Sequence, residues 1–282
     1  MRAWANFRSA PALVVLAGVT LGVGHVSEVG RWWEDEVSRS RVRHQDPVAE
    51  TTKGFFGPPS DHHEFYFTRA IYSSYRGGGY WGRRSWSTDY PKADRQFLAV
   101  VKRLLGLDAY DYENAVSLAD PDIRKYPFLY ALEVGRMALT QEEVQGLRDY
   151  LDAGGFLVID DFWGTREWDV FEYNIRRVLP GRAMVELPLS HELFRTFYEI
   201  TEIKQVPNVN QGRFGGPTWE RDGYEPKVLG ILDDEGRLMV VINWNTDLGD
   251  AWEWAEDPFY PLEYSTFAYE MGANMIVYGM SH

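Results

Sequence analysis

From Phe128 to Leu187, short apolar runs alternate with longer stretches in which apolar residues recur every three to four positions. This alternation narrows the fold more than any other feature of the chain. The run Phe156-Leu157-Val158-Ile159 has no polar residue in it. A strand with one wet face alternates apolar and polar side chains, so a continuous apolar run is expected where helices cover both faces of a parallel sheet. Phe128 to Val134 reads as a second strand, Phe65 to Tyr72 as an earlier one, and Val116-Ser117-Leu118 as a short one. Ala183 to Leu187 reads as a later one. The first intervening helix opens near Asp89 and Pro91 and puts Phe97, Leu98, Val101, Leu104 and Leu105 on one face. The second follows Thr140 and Glu143, which have capping-box spacing; it buries Val144, Leu147 and Leu151 and ends at Gly154-Gly155. The third runs from about Arg166 to Val178. Strands alternating with helices imply right-handed crossovers and a mostly parallel sheet. Beyond Leu187 the rhythm changes. Lys227 to Leu232 and Arg237 to Asn243 flank Asp233-Asp234-Glu235-Gly236, a hairpin signal, and an amphipathic helix over about Thr266 to Tyr278 closes the chain.

The amino-terminal part is built differently. Arg2 and Arg8 precede an apolar stretch, Pro11 to Val23, short for a spanning helix and without a clean small-residue cleavage site. Residues 1–26 are expected to be a signal peptide or a retained membrane anchor, an apolar tail being the alternative. Residues 27–64 mix charges with Gly57, Pro58 and Pro59, show no sustained period, and read as a linker. The folded domain is expected over 65–282. The formal net charge of −13 disfavours a nucleic-acid partner and docking of the folded domain on anionic lipid. The chain has no cysteine, which removes disulfides, thiolate metal sites and a thiol nucleophile together.

Several spaced segments carry a family likeness. They are Ser87-Thr88-Asp89-Tyr90-Pro91, Tyr126-Pro127-Phe128-Leu129-Tyr130, and Gly154-Gly155-Phe156-Leu157-Val158-Ile159-Asp160-Asp161-Phe162-Trp163-Gly164. To these are added His191-Glu192-Leu193-Phe194, Asn243 to Asp250, and a tail helix with Gly272, Asn274 and Tyr278. Together they resemble the bacterial domain-of-unknown-function family numbered 4159, over roughly residues 65–282. That family is similar to the class I glutamine amidotransferase-like superfamily. The resemblance implies a flavodoxin-like three-layer α/β/α fold and a cell-envelope location, since members often carry an amino-terminal signal or anchor. In amidotransferase-like enzymes a cysteine sits on the turn from a strand into a helix. The equivalent turn here is Ile159 to Gly164, where Asp160 or Asp161 stands in its place.

A carboxylate on such a turn is a candidate nucleophile, general base or ligand of a hard cation. The competing reading is that one of the two aspartates caps the following helix. His191 is the histidine placed to pair with Asp161, or else a packing and capping residue. The loop after the first strand supplies Arg83 and Arg84 as an anion clamp and Tyr80, Trp81 and Trp86 as stacking surfaces; it matches no phosphate loop, and a solvated surface loop is the alternative. Asp89 is read both as a helix cap and as a member of this ligand-contacting set. Asn243, Asn245, Asp247 and Asp250 place oxygen ligands at spaced positions. The calcium-loop pattern fails, however, because Leu248 and Trp254 stand where glycine and glutamate are required. Trp252 belongs to a segment, Trp252-Glu253-Trp254, expected to close that loop over the sheet edge.

Two functions follow as expectations. The first is an exported or membrane-anchored non-catalytic domain that binds a partner protein or glycan at the carboxyl edge of its sheet. The second is a carboxylate-based hydrolase of an envelope or polysaccharide substrate, using Asp160 or Asp161 with His191 or a bound cation. No cofactor is expected apart from such a divalent cation, and the membrane is expected to be met only through the amino-terminal segment.

Overall fold

A computed structural model describes residues 63–75 and 85–282. The leader, most of the linker and the loop carrying Tyr80, Trp81, Arg83 and Arg84 lie outside the described residues. Seven strands form one sheet: β1 (Thr68–Ile71), β2 (Asn114–Ser117), β3 (Phe128–Leu132), β4 (Phe156–Asp160), β5 (Met184–Glu186), β6 (Lys227–Leu232) and β7 (Leu238–Trp244). Among the described residues six helices accompany them: α1 (Lys92–Leu105), α2 (Gln141–Asp152), α3 (Gly164–Val178), α4 (Val209–Phe214), α5 (Leu248–Glu253) and α6 (Leu262–Ser281). The spatial order is β2-β1-β3-β4-β7-β6-β5. β2, β1, β3, β4 and β7 are mutually parallel; β6 is antiparallel to both β7 and β5. This is the α/β, mostly parallel, three-layer architecture with a late hairpin and closing helix that the pattern of runs implies.

Alternation along β4 explains why its apolar run is continuous. Phe156 and Val158 enter a core shared with α1, α5 and α6, through Phe97, Trp252 and Met275. Leu157 and Ile159 enter the opposite core with α2 and α3, through Leu147 and Phe171. All five β4 residues are buried. Fully burying such side chains is worth about 1.5–3 kcal/mol each, so the central strands are held by both helical layers at once.

Local signals account for most boundaries. The capping box of α2 is complete: Thr140 Oγ1 accepts from Glu143 N–H at 3.2 Å and Glu143 Oε2 accepts from Thr140 N–H at 2.8 Å. Gly106 stops α1 in the left-handed region at φ 64°. The first strand is shorter than expected, Thr68–Ile71. The chain before it is tied instead by Glu64 and Phe65 N–H groups to Asp108 O. The closing helix is longer than its amphipathic stripe suggests and largely buried, because the 3-10 segment Glu192–Arg195 packs over it and Asn274 pins the Phe197–Tyr198 backbone through three hydrogen bonds. Among the described residues, no helix is long and apolar enough to cross a membrane.

The sheet order reverses between β1 and β3, since the chain first steps outward to β2 and then returns to β3 and β4. Connections leaving these two strands diverge to opposite faces and open a crevice at the carboxyl edge, where ligands bind in open α/β sheets.

Candidate active site

That crevice holds a cavity of about 160 Å³ lined by carboxylates from four connections: Asp89 after β1, Glu133 after β3, Asp161 after β4, and Asp247 and Asp250 after β7. Glu220 and Arg221 from the segment before β6, and Arg136, complete much of the wall. The strands converge these groups because their parallel pairing brings their carboxyl ends to one edge. Leu132 sits beside Asp160 in the β3–β4 ladder, and Glu133 N–H donates to Asp161 O at 2.9 Å, tying the two exits together.

Backbone conformation sets this site apart. Among the described residues, five non-glycine positions have positive φ: Asp89 (59°), Glu133 (54°), Asp161 (46°), Arg221 (53°) and Asn245 (61°). Four of them line the cavity, and Asn245 supports its floor by accepting from Gly164 N–H at 2.8 Å. A left-handed conformation costs a side-chain-bearing residue on the order of 1 kcal/mol, and such costs collect where function demands a given side-chain direction.

Asp161 occupies the sharp bend between central strand β4 and α3, as expected. It does not cap α3. Its Oδ1 accepts from Trp163 Nε1 at 2.9 Å. The first N–H groups at that helix end go elsewhere: Trp163 N–H to Glu167 Oε2 (2.7 Å), Gly164 N–H to Asn245 Oδ1 (2.8 Å) and Thr165 N–H to Asp222 Oδ1 (3.0 Å). The Trp163, Gly164 and Thr165 N–H groups are thus spent on protein acceptors. The chemistry open to Asp161 is that of a nucleophile, a base, a proton donor or a cation ligand.

Asp160 is the neighbour on the opposite pleat and lies beneath the site. It is fully buried; its Oδ2 accepts from Tyr130 Oη at 2.5 Å and from Gly249 N–H at 3.1 Å. It anchors the start of α5, whose first turn carries Asp250 and whose N-cap is Asp247, the Oδ1 of which accepts from Asp250 N–H at 2.7 Å.

Burial is the leading cause of every shift in this cluster, and like charges add to it. Asp161 is pushed well above the usual carboxylate range by burial, then by Glu133, Asp89 and Asp160. Asp247 is pushed well up by burial, then by Asp161, Asp250 and Asp89. Asp89 is raised well above its ordinary value by burial, then by Asp250 and Glu253, against the pull of Arg69. Burial carries Glu133 up to about 7 despite Arg136, which pairs with it at 3.1 Å. Burial carries Asp160 up to about 7 as well. Arg221 is held by Glu167 at 2.9 Å and Glu220 at 3.5 Å. The crevice thus carries far more acidic than basic groups.

The remaining sequence candidates distribute as follows. His191 does not meet Asp161. Its Nδ1 accepts from Leu193 N–H at 3.2 Å, and its ring packs 6.0 Å from that of Tyr278, whose hydroxyl bonds the start of β7 at the opposite end of the sheet. The capping reading of His191 is the one the structure displays. Trp252 does not close over the edge; it stacks on Phe97 at 4.0 Å inside the core, because α5 turns that face inward. Trp86 packs against Tyr90 and offers its carbonyl, not its ring, to Arg69. Asp89 caps α1 only through its main-chain oxygen, leaving its carboxylate for the cavity. Asn243 and Asn245 bond backbone groups of neighbouring segments, so only Asp247 and Asp250 of that series reach the site. Sequence reasoning missed Glu133, Arg136, Glu220 and Arg221. Glu133 follows a strand directly, which was its one legible signal.

The chain matches the family described as "Domain of unknown function (DUF4159)" over residues 72–280. No curated protein matches it.

Proposed function

From the premise that the chain belongs to the DUF4159 family, whose description names no reaction, we propose that it is a hydrolase whose acid–base chemistry is carried by Asp161 and Asp247 with Asp89. One observation carries this reading: oxygens of these three carboxyl groups lie within 4.8 Å of one another in a cavity at the carboxyl edge of the sheet. Carboxyl groups so close, and buried, do not all ionise together; one holds a proton while another is free to take one. An ionised member draws a proton from water as it attacks, and a protonated member delivers one to the leaving group. The direct separation is too short for the water-bridged acid and base of an inverting glycosidase, which stand about 6.5–9.5 Å apart. In this reading Asp161 occupies the place of the cysteine of amidotransferase-like enzymes. The Pro11 to Val23 segment exports or tethers the domain, and the substrate is an envelope polymer. A second reading, a non-catalytic domain that holds a glycan or partner protein, draws support from the exposed Trp219 and Tyr224, whose rings pack 5.8 Å apart and which flank Glu220 and Arg221 in the chain.

The test is hydrolysis by the full chain of chromogenic glycosides, esters, phosphoesters and peptides, and of isolated cell-wall polymer. Turnover of one class that drops at least a hundredfold in Asp161→Asn, with circular dichroism unchanged, supports the hydrolase. Turnover indifferent to Asp161→Asn and Asp247→Asn, or none on any probe, removes it.

A further inference from the structure

We infer that Asp89, Asp161 and Asp247 together bind one hard divalent cation. The inference rests on the same site as the proposed hydrolase but not on its being an enzyme. Acidic crevices are common, and three features separate this one from a solvated cluster.

The first is an orphaned atom. Asp89 Oδ2 is sealed from solvent and no N–H or hydroxyl donor reaches it; the side chain that Asp89 meets is another carboxyl, Glu253. A buried carboxylate oxygen in that position needs a proton or a cation. The neighbouring guanidinium pulls on it only from a distance: Arg69 is fully buried, paired with Asp94, and donates from Nη1 to the Trp86 and Thr88 carbonyls. Arg136 and Arg221 are likewise paired, with Glu133 and with Glu167.

The second is the placement of two of these oxygens on one side of Gly249. A methyl group at Gly249 would stand 3.3 Å from Asp89 Oδ2, 3.5 Å from Asp247 Oδ1 and 3.1 Å from Tyr130 Oη. Asp89 Oδ2 and Asp247 Oδ1 thus lie on the same side of Gly249, where an added methyl would press on the first and touch the second.

The third is fit. Ligand oxygens within 4.8 Å of one another suit an ion with metal–oxygen distances of about 2.0 to 2.6 Å, the range spanned by magnesium and calcium. The donor set is all carboxylate, with no imidazole or thiolate, which favours magnesium, manganese or calcium over zinc or copper.

A second group of carboxyls, Asp89 with Asp250 and Glu253, also comes together. There the protein already supplies a cation of its own: Lys92 stands 3.8 Å from Glu253. The cation is therefore assigned to the Asp89–Asp161–Asp247 set, with Asp250 holding Asp247 from behind.

The experiment uses the full chain, stripped with chelator and titrated with MnCl₂, MgCl₂, CaCl₂ and ZnCl₂ by calorimetry, with thermal unfolding alongside. The expected result is one ion per chain from among manganese, magnesium and calcium, a rise in Tm on binding, and at least a tenfold loss of affinity in Asp89→Asn and in Gly249→Ala. The exposed Asp169→Asn should leave affinity unchanged. Gly249→Ala keeps every carboxylate and presses on the placement of two of them, so its loss separates a site of fixed geometry from a merely reduced surface charge. Absence of binding by the wild type, or binding that survives both Asp89→Asn and Asp247→Asn, overturns the inference. Hydrolysis that needs Asp161 in a protein that binds no divalent ion overturns the cation and leaves the hydrolase; a bound ion with no turnover does the reverse.

Discussion

Asp160 offers a sharp test of the electrostatics beneath the site. Its carboxyl is fully buried, and burial raises it from 3.8 to about 7. The folded pKa lies above the unfolded one, so its contribution to stability is complete below pH 3.8 and is lost as pH rises through about 7. Carrying the ionised group in the folded state costs about 4 kcal/mol in full, of which about 2.5 kcal/mol falls between pH 5 and pH 8. Asp160→Asn removes the titration. The amide leaves a constant offset, because a side-chain N–H₂ must now face either the sealed Oδ1 position or the donors Tyr130 Oη and Gly249 N–H. That offset does not vary with pH, so the informative quantity is the change in the wild-type-minus-variant difference. Asp161 and Asp247 are raised in part by Asp160, and relieving them flattens the variant's profile further in the same direction. Urea unfolding of cation-stripped protein, followed by tryptophan fluorescence at pH 5 to 8, should show the wild type losing about 2.5 kcal/mol relative to Asp160→Asn over that span. Profiles that run parallel within about 0.5 kcal/mol would refute the claim that this carboxyl is forced to ionise in a buried setting.

Other perturbations test the frame around it. Arg69→Met leaves Asp94 buried without its partner and should cost about 3–5 kcal/mol in urea unfolding, most of it recovered in the double variant with Asp94→Leu. Gly146→Ala should lower Tm despite alanine's better helix propensity. Its methyl would stand 2.0 Å from Leu118 O, a main-chain atom, and relief should cost about 1–3 kcal/mol. Thr140→Ala should cost about 1 kcal/mol through the lost α2 cap, and Glu143→Ala more, because Glu143 also accepts from Ser73 N–H at 2.8 Å and so ties α2 to the chain leaving β1.

Much of the architecture was legible in the chain because it is written in local terms. The apolar run Phe156–Ile159 marks a strand covered on both faces, Thr140 and Glu143 mark a helix start, Asp233 to Gly236 marks a hairpin turn, and the bend at Asp161 follows from a strand that must give way to a helix. The site is a different kind of information. Asp89, Asp161 and Asp247 are far apart in sequence and carry no common spacing; they meet because β1, β4 and β7 run parallel and end at one edge, and because left-handed backbone turns two of them toward it. His191 and Trp252 show the converse. Each sits in a segment that reads as functional, yet one is packed against the closing helix and the other turned into the core, since a one-dimensional pattern does not say which way a short helix faces. Secondary structure here was set by neighbours along the chain, whereas the convergence of charge was set by strand order, which depends on how both helical layers bury the sheet.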